Sequence, residues 1–217
     1  MNIFQQFAHF MQSGGFWMYP ILLTLVTGAA ISIERFIYLN KVEKVNKQIW
    51  ADIFPMISKG QLKAALEKVK TSDSALGLML TNGITRSLTA RRQDEVEGAL
   101  DEALMESLPR LEKRTHYLST LANVATLLGL LGTIIGLIHA FTAVASADPA
   151  EKANMLSAAV GEAMNCTAFG LVTAIPLLVL FSVLQSKTGQ AVESLEAASI
   201  KFLNVIRQLG ATQQGPQ

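Results

Sequence analysis

One apolar stretch, Thr126 to Ala140 (TLLGLLGTIIGLIHA), constrains the fold of this chain more than any other. Threonine, glycine and alanine recur in it at spacings of three and four residues, which places them on one face of an α-helix. In lipid, small residues let another backbone approach closely, and threonine hydroxyls offer hydrogen bonds. The stretch therefore predicts a membrane helix whose small, weakly polar face meets protein. That face comprises Thr126, Gly129, Thr133, Gly136 and Ala140.

The distribution of charge also indicates a membrane protein. Only 16% of the 217 residues are charged, against roughly 25% in an average soluble domain. Residues 1–33 contain no Lys, Arg, Asp or Glu, whereas 14 of the 18 basic residues lie between Glu34 and His116. The net charge of +1 argues against nucleic-acid binding through bulk electrostatics.

Three apolar runs approach or exceed the roughly 17–25 residues that a spanning helix needs. The first begins at Phe16, the second near Leu118 and the third near Ala163. A cleaved signal peptide is the alternative for the first run, but no positive segment precedes it and Glu34-Arg35 follows it. The positive-inside rule makes the segment between the first two spans cytoplasmic, with the N-terminus outside. The basic residues that decide this are Lys41, Lys44, Lys47, Arg110, Lys113 and Arg114.

These spans divide the chain into seven predicted segments. A periplasmic or interfacial helix occupies residues 1–15, with a frayed terminus as the equal alternative. The segments that follow are transmembrane helix 1 (16–39), a cytoplasmic helical domain (40–117), transmembrane helix 2 (118–145), a periplasmic loop (146–161), transmembrane helix 3 (162–185) and a cytoplasmic C-terminal helix and tail (186–217).

The cytoplasmic segment is predicted to be helical. Gln61–Lys70 and Ser74–Ser87 form short amphipathic stretches, and an apolar stripe at helical spacing begins near Gln93. We expect one long helix, or two stacked helices bent at Pro109, leading into span 2. The predicted fold class is an all-α membrane protein with three transmembrane helices, in which helices 2 and 3 extend into a cytoplasmic helical bundle.

The third span repeats the pattern of the second. Ala163, Thr167, Gly170 and Ala174 share a face at spacings of 4, 3 and 4. Two such helices, each with a threonine near mid-length, could form one wall of a narrow polar path. The alternative is plain packing of small residues between spans 2 and 3, and spacing alone makes it at least as probable.

Few other polar or titratable side chains lie near the predicted spans. Glu162 opens span 3, where it is either functional or a favourable partner of the helix dipole, and Asn165 could bond across helices. No Asp or Glu lies inside spans 1 or 2. If the chain conducts ions, the ion-binding carboxylate must therefore come largely from a partner. The single Cys166 and the scattered histidines predict neither a metal site nor a cofactor.

Two motifs resemble the MotA/TolQ/ExbB proton channel family, and are closest to its ExbB and TolQ branch. They are GLLGTIIGLIHAF (Gly129–Phe141) and GEAMNCTAFGLVTAIP (Gly161–Pro176). The resemblance implies a pentamer in the bacterial inner membrane around two single-span ExbD/TolR-like subunits, whose aspartate binds the proton. It also places the family's pore threonines at Thr133 and Thr167 and its glutamate at Glu162. Asn165-Cys166 departs from the family pattern, which leaves sodium as an alternative ion.

The function expected from this resemblance is a channel-forming motor subunit that converts proton motive force into work on a TonB- or TolA-like energy transducer. Which process is driven is not encoded in these motifs. The alternative is a non-conducting oligomeric scaffold or chaperone for a single-span partner. A membrane enzyme has no supporting constellation of catalytic residues.

Overall fold

The computed structural model describes residue 5, residues 10–90 and residues 92–213, with side chains up to residue 210. The regular structure of this part is entirely helical, which confirms the all-α class. The predicted interfacial helix at 1–15 lies largely outside the described residues. Six helices follow in order: α1 (Met18–Ser58), α2 (Leu62–Val69), α3 (Ala75–Thr89), α4 (Gln93–Glu112), α5 (Thr115–Ala145) and α6 (Lys152–Gln213).

Three helical segments of the described chain are long and apolar enough to cross a membrane by length and composition. They are Met18–Ser58, Gln93–Ala145 and Lys152–Gly210, the second of which takes α4 and α5 together. Each overlaps one of the three predicted spans, and the first begins two residues later than predicted, at Met18 instead of Phe16. The exact limits of the membrane-embedded part and the side of the membrane on which each end lies remain predictions.

The chain forms two compact units. The apolar unit comprises Met1–Glu34 and Arg114–Leu184, and the charged unit comprises Arg35–Lys113 and Gln185–Gln217. In the apolar unit, α5 buries small residues at helical spacing on the side that packs against its neighbours. These residues are Ala122, Ala125, Gly129 and Gly132.

The charged unit is a helical bundle with a core of its own, drawn from five helices. The predicted amphipathic stretches correspond to α2 and α3 and are confirmed as helices. The core side chains are Ile53 and Ile57 of α1, Ala65 and Val69 of α2, Leu76, Met79, Leu80 and Ile84 of α3, Val96, Leu100, Ala103 and Leu111 of α4, and Leu195, Ala198 and Phe202 of α6.

Neither expectation for this segment, one long helix or a bend at Pro109, matches the structure. The α4 helix continues through Pro109 to Glu112, and the break falls at Arg114, whose backbone is left-handed with φ of 64°. Pro109 is exposed, so the carbonyl that loses its helical N–H partner can meet water instead. At the end of α4, the buried guanidinium of Arg35 donates a hydrogen bond to the carbonyl oxygen of Leu111.

We expect Arg35→Met to lower the free energy of unfolding by about 1–3 kcal/mol, because it removes the donor from a buried carbonyl. It also removes the guanidinium from the Tyr38 ring, whose centroid lies 4.7 Å away. Thermal unfolding in detergent measures the effect. The matched control is Arg92→Met, because the side chain of Arg92 is 76% exposed in its pair with Asp94 and surface pairs contribute little. Equal shifts for both variants would show that Arg35 does not hold the end of α4.

Candidate functional site

The α5 and α6 helices approach each other backbone to backbone. A Cβ atom built on Gly170 would lie 2.8 Å from the carbonyl oxygen of Ala125 and 3.1 Å from the Cα of Gly129. A Cβ built on Gly129 would in turn lie 3.2 Å from the Cα of Thr167. No larger residue fits at either glycine unless the helices separate. This close approach brings the polar groups of the two helices within hydrogen-bonding distance.

Two threonine hydroxyls meet at this contact. The Oγ1 atoms of Thr133 and Thr167 lie 3.0 Å apart. The Thr167 hydroxyl also lies 3.0 Å from the carbonyl oxygen of Gly129, and the Thr133 hydroxyl lies 2.6 Å from that of Leu130. The structure therefore joins the two threonines that the sequence placed on separate helices.

The hydroxyl pair is rich in acceptors. Each hydroxyl supplies one hydrogen and two lone pairs, so two hydrogens are shared among the pair and the carbonyl oxygens of Gly129 and Leu130. Whichever way the hydrogens point, lone pairs remain without a donor. Such a group can accept a hydrogen bond from water or from a protonated acid, and its oxygens can coordinate a cation.

The pair lies at the edge of the packed face. Thr133 and Thr167 are half-buried, whereas Gly129, Cys166 and Gly170 are buried. The packed stripe of α5 is thus centred about one residue before the stripe predicted from spacing. Thr126 shows the same displacement, since it is exposed and donates only to the carbonyl oxygen of Ala122, at 3.1 Å. The hydroxyl pair is therefore partly available to a further molecule.

The structure does not bring Glu162 and Asn165 to the threonine pair. Glu162 is exposed and lies beside Gly15, where an added Cβ would meet its carboxylate. The amide of Asn165 donates to the hydroxyl of Ser13 at 3.5 Å. Among the described residues, neither side chain makes a hydrogen bond to either threonine of the pair.

The remaining small residues of the predicted face lie in helix contacts. Ala140, Ala163 and Ala174 are buried. A Cβ built on Gly136 would lie 3.2 Å from the Cβ of Ala163. On both helices, these small residues thus allow close packing within one chain. This is the alternative interpretation given above, in which the small residues only pack spans 2 and 3 together.

Two features of the site were not anticipated from the sequence. Gly132 makes room for the side chains of Cys166 and Trp17, although it lies outside the predicted face. Thr173 is fully buried, and its hydroxyl has no hydrogen-bond partner among the described residues. It follows Gly170 by three residues, so helical spacing could have found it.

The described residues contain no cluster of His, Cys, Asp or Glu that could hold a metal ion.

Together these features describe an α-helical protein with three helices apolar enough to cross a membrane, and with a hydroxyl pair on two stretches, 118–145 and 163–184, that lack carboxylates. Comparison with known proteins agrees with that description. The sequence profile of the MotA/TolQ/ExbB proton channel family matches residues 71–197. The chain belongs to this family.

Several curated proteins are similar over much of the chain. A putative biopolymer transport protein ExbB homolog from Methanothermobacter thermautotrophicus is 26% identical, over 90% of this chain and 69% of its own length. The biopolymer transport protein ExbB of Neisseria meningitidis serogroup A is 26% identical, over 88% of this chain and 91% of its own length. The Tol-Pal system protein TolQ of Haemophilus influenzae is 36% identical, over 39% of this chain and 36% of its own length.

Proposed function

We propose that the chain is the channel-forming subunit of an ExbB–ExbD or TolQ–TolR type motor in the bacterial inner membrane. The single observation that carries this proposal is the acceptor-rich pair of Thr133 and Thr167, half-buried on apolar stretches that contain no carboxylate. The motor uses proton motive force to do mechanical work on a TonB- or TolA-like transducer. Its translocated ion is H⁺, with Na⁺ as the alternative.

The composition of the spans requires a second subunit. Residues 118–145 and 163–184 contain no charged residue, whereas a proton path at membrane depth needs a titratable group. A single-span ExbD/TolR-like subunit with an aspartate supplies that group. The threonine hydroxyls then accept hydrogen bonds from the protonated acid as it moves past them. Several copies of this chain, five by resemblance to the family, surround a dimer of the single-span subunit.

The second candidate function is a non-conducting oligomeric scaffold for the same kind of partner. The contact of Gly129 with Gly170 favours it, because that packing accounts for the small residues without any ion path. The scaffold and the motor differ in what the hydroxyl pair does. The scaffold needs the hydroxyls only for helix packing, whereas the motor needs them for ion transfer.

Proton flux into proteoliposomes tests the proposal. The full chain is reconstituted with a single-span partner whose helix carries an aspartate, and a potential is applied across the vesicle membrane. We expect proton uptake with both subunits together, and none with either subunit alone or with an Asp→Asn partner. A stable complex that conducts no proton, and no sodium in the parallel assay, would refute the motor and support the scaffold.

A further inference from the structure

A groove in the charged unit combines small side chains with an unsatisfied polar group. It has a volume of about 540 Å³ and runs between α1 and α6, with Leu76 of α3 at its edge. The α6 side contributes Ala191, Ser194, Ala197 and Ala198. These small residues leave room for the ridge of another helix.

Asn46 shows that the groove lacks a partner. Its side chain lines the groove and is only 5% exposed, yet neither its Oδ1 nor its Nδ2 has a hydrogen-bond partner among the described residues. A buried amide without hydrogen bonds is costly. An occupant that offers an acceptor would lower that cost once the Asn46 side chain turns so that its Nδ2 donates to it.

The groove has an excess of positive charge. Lys47 is already paired, since its Nζ lies 2.6 Å from the Glu43 carboxylate, and the hydrogen bond lowers the pKa of that carboxyl. This leaves Lys187 and Lys201 against the carboxylate of Glu193. Lys187 donates to Asn40 at 2.7 Å, and Lys201 has no ion pair among the described residues. An occupant with exposed acidic groups is therefore favoured.

The exposed face of α4 has the complementary character. Met105 lies at the centre of this face and is 73% exposed. Gly98 lies about two helical turns earlier on the same side, and a Cβ built on it would have no neighbour within 4 Å among the described residues. Asp101, Glu102 and Glu112 lie on the same side at helical spacing, and none of them has an ion pair in the described part of the chain. Met105 is an apolar, flexible side chain of the kind enriched in interfaces.

We propose that the groove between α1 and α6 receives the α4 face of a second copy of this chain, with Met105 seated among the small residues of α6. The carboxylates of Asp101 and Glu102 then pair with Lys187 and Lys201, and the Nδ2 of Asn46 donates to one of them once its side chain turns into the groove. The proposal deepens the proposed function, because it assigns the contact between neighbouring subunits.

The two surfaces share no residue, so the contact is head-to-tail. A head-to-tail contact propagates from one copy to the next and closes into a ring if the rotation fits. If each surface instead paired with the same surface of another copy, the assembly would close at a dimer. The proposal thus explains how a subunit of this kind could surround a central partner without a second type of interface in this unit.

Disulfide cross-linking in membranes tests the contact with the full chain. Two differently tagged chains, one with Met105→Cys and the other with Ala197→Cys, are co-expressed in a Cys166→Ala background and oxidised. We expect at least about tenfold more cross-linked product with both tags than in the control pair of Met105→Cys with Lys59→Cys, because bridging requires Cα atoms within about 7 Å. A product containing only Met105→Cys chains, a product with another protein, or no product above the control would overturn the proposal.

A charge exchange keeps the test valid if a cysteine variant misfolds. Lys201→Glu should lower the fraction of chains in the oligomer about tenfold, and adding Glu102→Lys should restore it. Failure of the restoration would also overturn the contact. Proton flux separates the two proposals: flux without the cross-link rejects this contact alone, and the cross-link without flux rejects the motor alone.

Discussion

Replacing Gly170 with alanine is expected to destabilise the folded chain by about 1–3 kcal/mol, although alanine favours helix formation. The added methyl would lie 2.8 Å from the carbonyl oxygen of Ala125, so α5 and α6 must move apart. Gly170→Leu should prevent accumulation in membranes altogether. Thermal unfolding in detergent and the amount of protein in the membrane measure the two variants.

Gly161 and Gly189 are matched controls for Gly170 on the same helix. No neighbour lies within 4 Å of a Cβ built on either residue. Gly161→Ala and Gly189→Ala should therefore stabilise α6 by about 0.5–1 kcal/mol through lower backbone entropy in the unfolded chain. If Gly170→Ala proved as stable as these controls, the close approach of the two helices would be incorrect.

Replacing both threonines with valine is expected to reduce ion flux at least about tenfold while the protein stays folded. Valine matches the shape of threonine but lacks the hydroxyl, so Thr133→Val with Thr167→Val removes the acceptor pair. Interhelical hydrogen bonds in membranes contribute only about 0.6 kcal/mol on average, so stability should change little. The moving acid then has no hydroxyl to accept its hydrogen bond, which should reduce flux at least about tenfold. Proton uptake by proteoliposomes, compared with thermal unfolding of the same samples, measures both effects.

Thr142→Val is the control for this pair. Thr142 lies on the same helix, is exposed, and donates to the carbonyl oxygen of Ile138 at 2.8 Å, but it has no partner on α6. It should retain full flux. Wild-type flux in the double variant would remove both threonines from the proposed path and would favour the scaffold.

Much of this architecture follows from periodicity alone. Apolar runs of spanning length predict the three long helices, and the spacing of three and four residues brings Thr133 and Thr167 towards one contact. The spacing does not fix the centre of that contact, because residues three and four apart are not exactly aligned on a helix and together cover a broad arc of its surface. Gly132 and Thr173 were therefore missed as members of the packed faces.

Long-range contacts could not be read from local patterns. The end of α4 depends on Arg35, which is 76 residues distant from Leu111 in sequence. Local spacing therefore predicts either a continuous helix or a break at Pro109, the residue with the strongest intrinsic tendency to interrupt a helix. The groove beside Asn46 is likewise invisible in sequence, because it is formed by α1 and α6, which are far apart in the chain.

The most direct test of the central claim is the water accessibility of the hydroxyl pair in the assembled oligomer. In a Cys166→Ala background, Thr133→Cys is treated with a charged, membrane-impermeant thiol reagent and compared with Val179→Cys, an apolar position that is 58% exposed. We expect Thr133→Cys to react in the absence of the single-span partner, to be protected when the partner is bound, and Val179→Cys to remain unmodified. Modification of neither position, or of Val179→Cys alone, would show that the threonines face lipid or tightly packed protein instead of a water-accessible cavity. That result would contradict the proposed role of the hydroxyl pair.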